Sequence, residues 1–174
     1  MESRSKSAVK SYEIYSAVDP SVVNSMLDWF RDNDRNVYKT AVSTLAQSRK
    51  LRAVFIQKKP LPEQYAWIRK TLQLKTSETI GEHLMQAWLM AGNQDMLAAF
   101  CDAMDIEHDG KGSVSGDLPD EFEATKLDAA VDSLVGKFDP QVVSVYLRFF
   151  NLQKPGGWPT LEAKLESDER LKLG

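Results

Sequence analysis

The sequence predicts an all-α protein, and three observations carry that expectation. Apolar residues recur at three- and four-residue spacing along nearly the whole chain, the repeat of one helix face. Strict alternation of apolar and polar residues, the signature of a half-buried strand, is almost absent. Helix start and stop signals punctuate the pattern at Asp19-Pro20, Pro60, Gly92-Asn93 and Asp139-Pro140. About seven helices, paired as antiparallel hairpins, account for the spacing of these signals.

The first helix is expected to open at Asp19, an N-cap followed by proline at the first helical position, and to bury Val22, Val23, Met26, Leu27 and Phe30. A second is expected from about Tyr38 to Gln57. Its inner face would hold Val42, Leu45, Leu51, Val54 and Phe55, and Lys58-Lys59 would sit at its C-terminal end, where cations suit the helix dipole. Pro60 and Pro62 break the chain, and a third helix over about 62–72 turns Tyr65, Ile68 and Leu72 inward. Ser77 is expected to cap a fourth, whose Leu84, Met85, Ala87, Trp88, Leu89 and Met90 cover so much of its circumference that it should lie centrally. After the Gly92-Asn93 turn, Met96, Leu97, Phe100, Cys101 and Met104 form its partner. A loop at about 105–119 leads into a second pair, 120–138 and 140–152, the latter with one charge, Arg148, among eight apolar residues. A helix over 158–173 closes the chain, with Trp158 filling a gap at its start.

Setting the chain against itself at an offset of 120 residues places DPSVVNSMLDWF (19–30) over DPQVVSVYLRFF (139–150). The ungapped arms 19–52 and 139–172 share nine identities over 34 positions, where chance gives about two. A true duplication implies stacked helical hairpins, either a short HEAT-like stack or an irregular bundle.

A length of 174 residues suits one domain with its own core, expected over 11–174, behind a Ser- and Lys-bearing N-terminus, 1–10, expected to be mobile. One cysteine, Cys101, forms no intramolecular disulfide, and the opening MESRSKSAVK has no apolar stretch of the secretory kind, so a reducing, cytoplasmic setting is expected. No apolar run approaches the roughly 20 residues that span a bilayer, and no membrane partner is expected.

Charge is segregated along the chain. Residues 31–75 hold 11 Lys/Arg against 3 Asp/Glu, and residues 76–139 hold 3 against 14. Opposed basic and acidic surfaces point first to a protein-interaction or self-assembly module whose partner is another protein or a second copy. The basic patch over 49–59, with Arg49, Lys50, Arg52, Lys58 and Lys59 on one helix and its end, makes a nucleic-acid-associated protein the alternative. Assembly would show an apolar patch rimmed by charges, whereas nucleic-acid binding would show cations on one face with an aromatic among them.

Residues 100–122, FCDAMDIEHDGKGSVSGDLPDEF, carry the centre Asp109-Gly110-Lys111-Gly112-Ser113-Val114 behind an amphipathic helix. This segment resembles an EF-hand calcium loop over about twenty residues, and the resemblance implies a calcium loop over 105–118 with Asp105, Glu107, Asp109 and Ser113 as candidate ligands. The pattern departs where Lys111 replaces an oxygen ligand and where Leu118, or Gly116 in the other register, replaces the bidentate acid. A solvated Gly/Asp-rich connection is the plainer expectation. His83 and His108 lack a metal-ligand spacing, there is no nucleophile elbow and no phosphate-cradling glycine loop, so neither an enzyme nor a cofactor is expected.

Overall fold

The computed structural model describes residues 10–174, and these fold as ten α-helices and two short 3-10 turns with no strand among them. They fall into two compact units, Lys10–Trp88 and Leu89–Gly174, where the sequence suggests one domain over 11–174. Of the N-terminal segment 1–10, only Lys10 is described; the rest lies outside the described residues.

The first unit begins with a helix that the apolar spacing does not announce, α1 (Ser11–Ala17). It has seven residues, too few to be stable alone, and it is held by long-range contacts. The Lys10 N–H donates to Glu13 Oε1, Ser11 Oγ donates to the Glu78 carbonyl at 2.8 Å, and the Tyr15 hydroxyl donates to the Gly81 carbonyl at 2.7 Å. Glycine at 81 permits that approach, because a Cβ there would stand 2.9 Å from the Tyr15 ring.

Helix α2 (Pro20–Asn33) starts as the sequence predicts, with Asp19 accepting from the Ser21 N–H and Val22, Val23, Met26, Leu27 and Phe30 buried. Asp34 both ends α2, through its N–H to the Phe30 carbonyl, and caps α3 (Arg35–Ser48), accepting from the Val37 N–H. One residue thus joins two helices. The expected continuous helix from Tyr38 to Gln57 is instead α3 and a separate five-residue α4 (Ala53–Gln57). Lys50 adopts a left-handed conformation, φ 58°, and the Leu51 N–H bonds back to the Ala46 carbonyl, so the chain turns out of the helix without a glycine. This break changes the phase. Val42 and Leu45 are buried as expected, but Leu51, Val54 and Phe55 are exposed. Helix α5 (Leu61–Leu72) follows Pro60 and buries Tyr65, Ile68 and Leu72. A 3-10 turn, Lys75–Ser77, leads into α6 (Glu78–Gly92), within which the division between units falls. The Ser77 hydroxyl has no hydrogen-bond partner, so it does not cap α6 as the sequence suggests.

In the second unit, α7 (Gln94–Ala103) is followed by a connection with one antiparallel bridge between His108 and Val114, then by α8 (Ala124–Lys137), α9 (Pro140–Asn151), α10 (Pro159–Ser167) and a 3-10 turn, Glu169–Leu171. Helix α9 packs against α8, α10 and the final turn, and its apolar run is buried nearly all round. Phe100, Phe122, Tyr146, Phe150 and Trp158 form the aromatic heart of this unit, with ring centroids 4.9–6.4 Å apart. Trp158 is fully buried, as a gap-filler should be. The last helix is shorter than predicted because Asp168 breaks it and caps the 3-10 turn through the Arg170 N–H. The two arms of the candidate repeat share one device, an Asp-Pro start in which Asp19 or Asp139 accepts from the N–H two residues on. Beyond it they differ, since α3 follows α2 after one residue while seven residues separate α9 from α10.

Candidate functional site

The two units differ in charge in the same sense as the sequence, although the acidic stretch begins inside the first unit, at Glu78 and Glu82. Lys10–Trp88 carries 12 Lys/Arg and 8 Asp/Glu, net +4, and Leu89–Gly174 carries 8 and 16, net −8. Within the first unit two adjoining features stand out, a basic-apolar face over residues 49–59 and a groove beside it.

The five cations of the face are not aligned on one helix and its end, as the sequence suggests. Arg49 ends α3, Lys50 makes the left-handed turn, Arg52 precedes α4, and Lys58 and Lys59 follow it. They therefore ring a turn and a single helical turn instead of striping a long cylinder. Between them Phe55 is 59% exposed, Leu51 43% and Val54 41%, while Ile56 alone of the apolar residues of α4 is fully buried and pins the helix down. Three of the four large apolar side chains that are conspicuously exposed among the described residues thus lie within five residues.

The groove has a volume of about 390 Å³ and is walled by the α2–α3 corner, α4 and α5. Arg31 closes α2, and Arg35 and Lys39 lie one turn apart on α3. Its base is a chain of fixed groups. The Tyr38 hydroxyl donates to Gln64 Oε1 at 2.7 Å, and Gln64 Nε2 donates to the carbonyls of Lys59 (2.8 Å) and Gln57 (3.2 Å). The Arg31 guanidinium stands 5.8 Å from the Tyr38 ring centroid. Burial raises the Tyr38 phenol, with the Arg31 charge opposing, so it stays a donor at neutral pH. Next to it the Tyr65 hydroxyl donates to Asp28 Oδ1 at 2.7 Å, and its pKa is also raised, first by burial and then by Asp28, with a hydrogen bond from Arg31 and its charge opposing. Among the described residues Arg31, Arg35 and Lys39 make no ion pair. The sequence draws attention to Lys39 but not to Arg31, Arg35, Gln57 or Gln64. The available signal was the Arg35/Lys39 spacing directly after a residue, Asp34, able to cap.

In the second unit the calcium-like segment is a hairpin satisfied from within. Asp109 Oδ1 accepts from the N–H groups of Lys111 (2.8 Å) and Ser113 (3.1 Å), which holds its carboxyl below the usual range. Asp105, with φ 56°, ends α7 and pairs with Lys126, while Glu107 lies against Gly116. His108 Nε2 meets Asp102 Oδ1 at 2.7 Å and its Nδ1 accepts from the N–H groups of Gly110 and Gly112, which fixes the Nε2–H tautomer. Gly112 is pressed on α7, where a Cβ would stand 2.2 Å from Leu97 Cβ. Asp105, Glu107, Asp109 and Ser113 are thus not gathered round a common point, and no three His, Cys, Asp or Glu side chains form a metal set among the described residues. Cys101 is buried, and burial raises its thiol pKa, so the thiol form prevails. His83 is exposed. No helix among the described residues is long and apolar enough to cross a membrane.

Comparison with protein-family models, curated proteins and solved structures finds no match to this chain.

Proposed function

We propose that the chain is a protein-docking module, acting by binding and not by catalysis, whose working face is the turn and short helix over 49–59. The observation that carries this reading is the exposure of Leu51, Val54 and Phe55 inside a rim of Arg49, Lys50, Arg52, Lys58 and Lys59. An apolar centre with a charged rim is the anatomy of a protein interface, in which a buried aromatic anchors and the rim selects the partner. The partner is an acidic protein surface that bears apolar side chains. The chain's own second unit, net −8, offers acidic residues to another copy, which makes self-assembly one form of the same function. A single buried cysteine suits a reducing, cytoplasmic setting.

Nucleic-acid association is the second reading, favoured by one feature, the exposed Phe55 ring among cations, which suits base stacking. Leu51 and Val54 favour the first, because aliphatic side chains add nothing to stacking. The test uses the full chain and its Phe55→Ser variant. Sedimentation velocity at low and high salt reads self-association, and fluorescence anisotropy reads binding of a labelled Glu/Leu amphipathic helix and of a labelled single-stranded oligonucleotide. Salt-sensitive self-association or peptide binding that Phe55→Ser weakens about tenfold or more supports docking. Binding of the oligonucleotide alone transfers the face to nucleic acid, and silence in all three assays refutes both readings.

A further inference from the structure

We propose that the groove beside this face is a binding site for a phosphate monoester, its dianionic phosphoryl group held by Arg31, Arg35 and Lys39. The proposal does not rest on the docking reading, since none of these three residues belongs to the 49–59 face.

The chemistry of the lining selects an anion. Gln64 spends its amide on two backbone carbonyls and its oxygen on the Tyr38 hydroxyl, and that hydroxyl has its one proton committed in return. Beside the Gln57 side chain, what the groove offers a ligand is two guanidinium groups and an ammonium, donors without acceptors, of which Arg31 also hydrogen-bonds the Tyr65 hydroxyl. No carboxylate is among the residues that line the groove, and Asp28, Asp32 and Asp34, though close in sequence and charged, make no ion pair with the three cations among the described residues. Like charges one turn apart repel, so Arg35 and Lys39 cost the free helix stability that a bound anion returns.

Charge and shape then narrow the anion. Three cations match a dianion better than a single carboxylate, and a phosphoryl group offers three acceptor oxygens to forked guanidinium donors and a point-charge ammonium. Arg31 is already oriented over the Tyr38 ring, which Gln64 fixes, so part of the ordering cost falls on folding instead of binding. A volume of about 390 Å³ is larger than a bare phosphate needs, and Tyr38 and Val42 supply apolar wall for the organic part of an ester.

Isothermal titration calorimetry of the full chain at low ionic strength and about pH 7.5 tests this, with phenyl phosphate, inorganic phosphate and glutarate as probes. Phenyl phosphate is expected to bind more tightly than inorganic phosphate, and both more tightly than glutarate, with affinity falling below about pH 6 as the dianion protonates. Arg35→Gln and Lys39→Gln should each weaken phenyl phosphate about tenfold, while Lys137→Gln, an exposed cation of the second unit, should leave it unchanged; circular dichroism confirms that the variants fold. Glutarate binding as well as phenyl phosphate, inorganic phosphate binding equally well, an Arg35→Gln/Lys39→Gln chain binding as the parent does, or no heat at all would each overturn the proposal.

Discussion

Replacing Trp158 by alanine should be among the costliest single changes in the second unit. The side chain is fully buried, its ring lies 4.9 Å from Phe122 and 5.3 Å from Phe150, and its Nε1–H donates to the Pro119 carbonyl at 2.8 Å. Truncating a buried tryptophan costs about 3–5 kcal/mol in transfer and cavity terms, and the orphaned carbonyl adds about 1 kcal/mol, so about 4–6 kcal/mol is expected. Trp158→Phe keeps most of the ring contacts and loses the donor, so about 1–2 kcal/mol is expected. Urea unfolding followed by circular dichroism at the helix signal is the suitable assay, because tryptophan fluorescence would change with the substitution itself. If the two compact units unfold in separate steps, the loss falls on the step of residues 89–174; if they unfold together, it falls on the single transition. A cost for Trp158→Ala below about 1.5 kcal/mol, or equal costs for the alanine and phenylalanine variants, would refute the packing argument.

The first unit offers the complementary test at Lys50, whose φ of 58° costs a side-chain-bearing residue about 1–2 kcal/mol; after glycine's extra unfolded-state entropy, Lys50→Gly should stabilise by about 0.5–1 kcal/mol. The same urea titration reads it, and no stabilisation would contradict the left-handed turn. Asp168 is held below the usual carboxylate range chiefly by hydrogen bonds from Arg170, with burial opposing. Its folded pKa is depressed, so its stabilisation is complete above the ordinary aspartate value of about 3.9 and fades as pH falls toward the folded value. Asp168→Asn should therefore destabilise more at about pH 6 than at about pH 2.5, and equal losses at the two pH values would show that the ion pairs contribute nothing.

The fold class was legible because helix periodicity is a local property, and the caps at Asp19 and Asp139 lie where the Asp-Pro pairs put them. Two features were not. Helix α1 is stabilised by groups 66 and 67 residues away, Gly81 and Glu78, and no seven-residue window contains them. The break after α3 depends on a lysine in a conformation usually left to glycine, so nothing at Arg49-Lys50 signals it. That second omission decided the site. With Tyr38–Gln57 read as one helix, Leu51, Val54 and Phe55 fall on the buried side; with the turn at Lys50 they point to water beside the cations already legible as a patch. The groove stayed hidden because Arg31 belongs to a different helix from Arg35 and Lys39, and only the single-residue corner at Asp34 brings the three together.

Net charge is a poor guide to what such a surface binds. A formal charge of −3 suggests that polyanions are repelled, yet at physiological salt a charge acts over about 8 Å, so a ligand in the groove senses mainly the groups around it. There three cations and no carboxylate line the groove, and the carboxylates nearest in sequence, Asp28, Asp32 and Asp34, make no ion pair with them among the described residues. With 12 cations against 8 anions in one unit and 8 against 16 in the other, each unit keeps a net charge of its own sign that even mixing would have cancelled. Binding at the groove should consequently weaken with salt as three local contacts would, with no relation to the sign of the whole chain.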